Sequence, residues 1–262
     1  MLKSTIKHLV PTVPLLFLFT LSGCNPLSNY TPLEKPSGVH YTYTGDHGPE
    51  HWGDLSAEFA PCKTGQQQTP INITQTQGAA LSPLQFNYLP SELRIINNGH
   101  TVQMNYDQGS TLVVGDQTYK LLQFHFHTPS EHTINGQHSA MELHLVHQNE
   151  AGQLGVVGLM INEGENNPEL QKFWNSFPGQ NYIEQVSPAI RYNIRDLLPS
   201  NQSYYNYSGS LTTPPCSENV NWFLLKEPIT VSSEQLANFK RFYELNARPV
   251  LDLNGREVKE SQ

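Results

Sequence analysis

Short runs in which apolar and polar residues alternate dominate the middle of the chain. Leu93–Asn97, Thr101–Tyr106, Thr111–Val114, Tyr119–His127, Met141–His147 and Leu154–Ile161 are each brief and rich in β-branched or aromatic residues. A two-residue period puts successive side chains on opposite faces of a strand, so these runs predict half-buried or buried strands. The dipeptides Asn98-Gly99 and Asn135-Gly136 are turn signals between such runs. Helical spacing is found in two places. Pro168 can occupy the first turn of one helix, with Leu170, Phe173, Trp174 and Phe177 on a shared face. Ser232 and Gln235 make a capping-box pair for the other, with Leu236, Phe239 and Phe242 facing inward. The pattern predicts a mainly β (α+β) chain with short peripheral helices.

The first residues follow a different rule. Lys3, Lys7 and His8 precede an apolar run from Leu9 to Leu21 that Pro11 and Pro14 interrupt. The run is too short and too proline-broken for a comfortable membrane span, and reads as an export signal over residues 1–23. It ends in Leu21-Ser22-Gly23-Cys24, which resembles a bacterial lipoprotein signal whose cysteine is lipidated and becomes the mature N-terminus. An ordinary cleaved secretory signal with a chance cysteine is the alternative. Residues 24–38, with Pro26, Pro32 and Pro36 among small polar residues, read as a tether. From there no second linker or repeat interrupts the sequence, so residues 39–262 are expected to form one domain, periplasmic or held at a membrane facing that space.

Composition narrows the partners. The net charge is −8, and the Lys and Arg residues form no cluster. Nucleic acid would require a basic stripe, so it is not an expected partner. Aromatic residues make up 10% of the chain, enough to build a large core, which argues against long disorder. If Cys24 carries lipid, Cys62 and Cys216 remain as an even pair in an oxidising space, where a disulfide can persist. Two free buried thiols are the alternative.

Candidate chemistry lies in Gln123-Phe124-His125-Phe126-His127. On a strand, His125, His127 and Gln123 share one face, and Phe124 and Phe126 point to the other. A second run, Glu142-Leu143-His144-Leu145-Val146, offers a third imidazole with Glu142 on its own face. Three neutral imidazoles suit Zn²⁺ and leave a fourth tetrahedral position open, as a catalytic site requires. A metal-bound imidazole usually gives its other N–H to a carboxylate or carbonyl; Glu142 and Gln123 can serve His144 and His125 in that way. Taken singly, each histidine could be an ordinary core or surface residue.

Several blocks together resemble the α-carbonic anhydrases: Gln123–His127, Ser130-Glu131-His132, Glu142–His147, and Gly209-Ser-Leu-Thr-Thr-Pro-Pro-Cys216. So do Gly48–Trp52, Gln68–Asn72, Asn97–His100 and Asn246–Pro249, in family order from about residue 40 to 250. The short connection from His127 to Glu131 is similar to the bacterial, exported branch. The resemblance implies a single domain on a large, twisted, mostly antiparallel central sheet, with one zinc at the base of a cone-shaped cleft. It implies reversible hydration of carbon dioxide to bicarbonate, a lyase reaction, with CO₂, bicarbonate and water as small-molecule partners. Bacterial relatives are often homodimers, although no segment here marks an interface.

The same resemblance assigns residues. His125, His127 and His144 would hold zinc, which lowers the pKa of a water to about 7; carbonic anhydrase itself is the reference case for that value. Thr212 and Glu131 match the gatekeeping pair, and His100 the proton shuttle, since an unperturbed imidazole titrates near neutral pH. Tyr43, Asn98 and Gln103 match polar residues holding a water chain, Gln103 standing where some relatives have asparagine. Val146, Val156, Leu211, Val220 and Trp222, with Thr213 beside them, match the wall of the substrate pocket, and an apolar recess suits a molecule without a net dipole. His132, His147, Tyr207 and Arg248 are expected to support the core; His47, His51 and His138 receive no role. Metal-free relatives of carbonic anhydrase have lost zinc ligands, whereas this chain keeps all three; and there is no His-Glu-x-x-His helix or hydrolase elbow to suggest another zinc hydrolase.

Overall fold

The computed structural model describes residues 30–32, 38–178 and 181–261. The expected leader over 1–23 and Cys24 lie outside the described residues. Among the described residues, no helix is long and apolar enough to cross a membrane.

Eight strands carry the architecture: β1 (Ser91–Asn97), β2 (Val102–Asn105), β3 (Gln117–His127), β4 (Met141–Asn149), β5 (Leu154–Glu163), β6 (Ile183–Tyr192), β7 (Tyr204–Ser210) and β8 (Glu218–Val231). They run in the order β6-β1-β2-β3-β4-β5-β8-β7 through a 13-stranded sheet, which Tyr30–Pro32 extends at one edge, and Lys259–Ser261 then Gln77–Ala79 at the other. That first short strand falls inside the segment expected to be a tether and pairs antiparallel with β6. Most neighbours are antiparallel, but β5 with β8, and Lys259–Ser261 with Gln77–Ala79, are parallel. The sheet is therefore mixed.

Period-two alternation divides the molecule. On β3 and β4, Phe124, Phe126, Leu143 and Leu145 face a large core that also takes in Met104, Tyr119, Leu159 and Phe223. The helices α1 (Pro168–Trp174) and α2 (Ser233–Lys240) close this side through Leu170, Phe173, Trp174, Leu236 and Phe239. Both start where the sequence predicts: Pro168 opens α1, where the structure adds Asn167 as the cap, and Ser232 and Gln235 complete the capping box of α2. Two expectations need correction. Helix α1 ends at Trp174, so Phe177 packs from the following turn. Phe242 lies beyond α2, is 38% exposed and packs edge-on to Phe177 instead of facing inward.

The opposite face of the sheet holds a smaller apolar cluster, including Ile71, Val146, Val156, Val220, Trp222 and Leu224. A third cluster joins Trp52 to the Cys62–Cys216 disulfide. This bond, expected from the cysteine count, ties the segment before Gln68 to the end of the Ser210–Cys216 loop. Disulfides persist in oxidising compartments, so the fold suits an exported protein.

Candidate metal centre

The register of β3 and β4 brings the three histidines together. His144 sits directly opposite His125, and Glu142 opposite His127. His144 also lies opposite Gly158 on β5, and a Cβ there would come 2.6 Å from Leu224 Cδ1 and 3.1 Å from Glu142 Oε1. Gly158 therefore leaves room for the carboxylate that supports His144. Among the described residues, one nitrogen from each of His125, His127 and His144 lies within 4.8 Å of the other two.

Hydrogen bonds decide which nitrogens these are. His125 Nδ1 donates to Gln123 Oε1 at 2.9 Å, and His127 Nδ1 to the Asn246 carbonyl at 2.7 Å. His144 Nε2 donates to Glu142 Oε1 at 2.9 Å. The nitrogens left over, Nε2 of His125 and His127 and Nδ1 of His144, are lone-pair donors. His127 Nε2 is buried and has no hydrogen-bond partner. Burial keeps all three rings neutral: it lowers His125 well below the usual imidazole range, with help from His127 and His144, takes His127 to about 4, and lowers His144. A neutral imidazole is the form that binds a metal. The donor set and the orphaned nitrogen fit a zinc ion.

Glu142 holds this arrangement from behind. Its Oε1 also accepts from His132 Nδ1 at 2.7 Å, and its Oε2 accepts the backbone N–H groups of Glu131 and His132 at 2.9 Å each. Desolvation alone would raise its pKa, but His132 and His144 outweigh it and hold the carboxyl well below its ordinary value. His132 Nε2 pairs with Tyr207 Oη at 2.6 Å, and that hydroxyl reaches Thr69 Oγ1 at 3.2 Å. Thr69 Oγ1 in turn accepts from Ser210 N at 3.0 Å. A continuous buried chain of polar groups thus links His144 to the loop carrying Thr212.

On the open side lies Glu131, fully buried. Its Oε1 accepts from Arg248 N at 2.9 Å, and its Oε2 stands 3.8 Å from His144 Nδ1 without a hydrogen-bond partner. Burial pushes its pKa up to about 7, opposed by His144, the Arg248 N–H and Thr212. Thr212 is buried against it and favours the carboxylate, though its hydroxyl completes no hydrogen bond of ordinary geometry with Oε2. A cation held by the histidines would favour that carboxylate further.

The remaining expected residues sort by position. Val146, Val156, Val220 and Trp222 belong to one apolar cluster, with Leu211 packed on it. The Trp222 ring lies 4.9 Å from that of His144, and its Nε1 donates to Ser210 O at 3.0 Å. Asn98 spends its oxygen on the N–H groups of His100 and Thr101 and its amide on Gln103, at 3.4 Å. Gln103 passes on to Asn105 at 2.7 Å. Tyr43 Oη, by contrast, is buried and has no hydrogen-bond partner. The His100 ring stacks on Tyr41, 3.9 Å between centroids and 6° from parallel. Burial, then His40 nearby, lowers the His100 pKa to about 4.

Two contributors escaped the sequence reading. Asn246 orients His127 through its carbonyl, and its amide binds the carbonyls of His100 and Phe126 at 3.0 and 2.9 Å. Tyr41 carries the stack under His100 and faces Thr213. The signal for Asn246 was its block alone, because a backbone contact leaves no residue-type pattern.

Comparison with known proteins agrees with this geometry. The eukaryotic-type carbonic anhydrase family matches residues 47–262. The carbonic anhydrase of Pectobacterium carotovorum is 44% identical over 222 residues, covering 84% of this chain and 90% of its own. That of Nostoc sp. is 44% identical over 244 residues, covering 91% and 92%. Among solved structures, the α-carbonic anhydrase from Thermovibrio ammonificans in complex with sulfanilamide has a TM-score of 0.82 at 44% identity, covering 85% of this chain and 99% of that one. A match over most of the chain, coinciding with three convergent imidazoles on a large mixed sheet, means that this chain belongs to the α-carbonic anhydrase family.

Proposed function

We propose that the site holds one Zn²⁺ through His125, His127 and His144 and catalyses the reversible hydration of carbon dioxide, with His100 carrying the proton. The observation that carries this reading is the set of three free ring nitrogens, each fixed by a bond to the ring's other nitrogen. When bound, zinc supplies Lewis acidity that makes water nucleophilic near neutral pH, the chemistry for which carbonic anhydrases are the standard case. The chain's own residues do the rest. Val146, Val156, Leu211, Val220 and Trp222 give the apolar substrate a dry wall beside the histidines. Thr212 has one proton to donate. When its O–H is committed to a hydrogen bond with Glu131 Oε2, its oxygen can only accept a hydrogen bond from the reacting water. That aims a water lone pair at the substrate and disfavours competitors with no proton to give.

The product proton must then leave. A ring whose pKa is lowered to about 4 gives up a proton readily and takes one up less readily, so turnover at saturating CO₂ depends on proton transfer through His100. The test is stopped-flow CO₂ hydration with metal analysis. The wild-type protein should carry one zinc and lose activity with a chelator, and folded His144→Ala should lose most zinc and nearly all activity. Full zinc and activity in that variant would overturn the assignment.

A second element of this reading is export. The disulfide fits an oxidising space, and a lipid on Cys24 would tether the domain to a membrane facing it. The exported protein should then partition into detergent and be released by Cys24→Ser; an unmodified N-terminus downstream of Cys24 would overturn it.

A further inference from the structure

The backbone on both sides of the His100 ring is tied down. Its N–H donates to Asn98 Oδ1 at 3.0 Å and its carbonyl accepts from Asn246 Nδ2 at 3.0 Å. The ring is half-buried and lies flat on Tyr41. A ring held in this way is poorly placed to deliver a proton to bulk buffer by itself. The residue before Tyr41 is His40, which is exposed, and its ring centroid lies 5.8 Å from that of His100 at a 35° tilt. That spacing is bridged by approaching ring edges or by one water.

The segment that carries His40 is also fixed. His47 Nδ1 donates to the His40 carbonyl at 3.1 Å, and Thr42 N donates to the His47 carbonyl at 2.9 Å. Trp52 Nε1 donates to the Thr42 and His47 carbonyls at 2.9 and 3.0 Å. The fully buried indole anchors the strap to the domain, so the 40–47 strap presents its imidazole to His100 in a defined position.

We propose that His40 is the outer member of a two-imidazole proton relay, taking the proton from His100 and releasing it to solvent. The inference rests on the proton-carrying role proposed for His100. In the outward direction protonated His100 gives one N–H proton to a neutral nitrogen of His40, directly or across a water, and His40 gives one proton to buffer. His100 returns to its neutral form, ready for the next turnover. His40 acts through His100 and touches neither metal nor substrate.

The test is a double-mutant cycle in CO₂ hydration kinetics, run in dilute, bulky buffer. His40→Ala should lower kcat by about two- to fivefold, leave kcat/KM unchanged, and be rescued by a small base such as imidazole. In a His100→Ala background, His40→Ala should have no further effect on kcat, because the relay is already cut. If His100→Ala lowers kcat but His40→Ala does not, the relay is wrong and the shuttle stands. If His100→Ala leaves kcat unchanged, both readings fall. If His40→Ala lowers kcat and kcat/KM equally, or adds its full effect to His100→Ala, His40 acts on structure and the relay is wrong.

Discussion

Replacing Glu142 with Gln changes one oxygen to an NH₂ group, and four buried bonds determine the result. Glu142 accepts from two backbone N–H groups, Glu131 and His132, and from two ring nitrogens, His132 Nδ1 and His144 Nε2. The amide oxygen can serve only one of these pairs. The backbone donors cannot change, so the oxygen turns to them and the NH₂ faces the rings. His144 Nε2 must then accept, which moves that ring's proton to Nδ1, the atom needed for zinc. Loss of such a supporting partner typically weakens metal binding by about 10- to 100-fold, or ~1.4 to 2.7 kcal/mol. Folding also suffers, because neutral bonds replace charge-assisted ones at a fully buried site, at roughly 1 to 3 kcal/mol. Zinc affinity measured by chelator competition, with urea unfolding of the zinc-free protein alongside, separates the two effects. A folded Glu142→Gln protein with wild-type zinc affinity would refute the tautomer argument.

Gly158→Ala should disturb the same support, because the new methyl meets Leu224 and Glu142; overpacking of this kind costs about 1 to 3 kcal/mol, measurable as a lower urea midpoint, with weaker zinc binding. Removing the disulfide with Cys62→Ser and Cys216→Ser should destabilise the fold by up to about 5 kcal/mol, a chain-entropy value for closing 154 residues; unchanged thermal unfolding would contradict it. Stability should also fall in acid. His147 is buried between Tyr88 Oη at 2.7 Å and the Gly155 carbonyl at 3.1 Å, and burial lowers its pKa to about 4. Because the folded state binds its proton less readily than the unfolded chain, its contribution is full above about pH 6.5 and declines toward pH 4, by about 3 kcal/mol. Urea midpoints of the zinc-free protein across that range should show the decline, and His147→Gln should reduce its slope.

The sequence by itself determined the local rules. Six strand runs and both helix starts were legible because alternation and capping are written in neighbouring residues. The pairing of His125 with His127 followed from strand periodicity alone, and Gln123 and Glu142 were legible as ring partners because they share a face with the histidines they serve. Strands β6, β7 and β8 were not legible. Tyr204–Ser210 is largely polar, Glu218–Val231 contains Pro228, and Ile183–Tyr192 is half-exposed or exposed over most of its length. Their neighbours, rather than their own pattern, make them strands. Phe242 failed for a related reason: helical spacing extrapolated past Lys240 assumes a helix that has already ended.

Tertiary structure alone decided the register that sets His144 against His125, and with it which nitrogen each ring offers. It also decided that the Asn246 carbonyl orients His127 from 119 residues away, and that His40 stands beside His100. Such contacts depend on backbone atoms and on pairings between distant segments. Backbone groups are the same for nearly every residue type, so sequence alone cannot show where they converge.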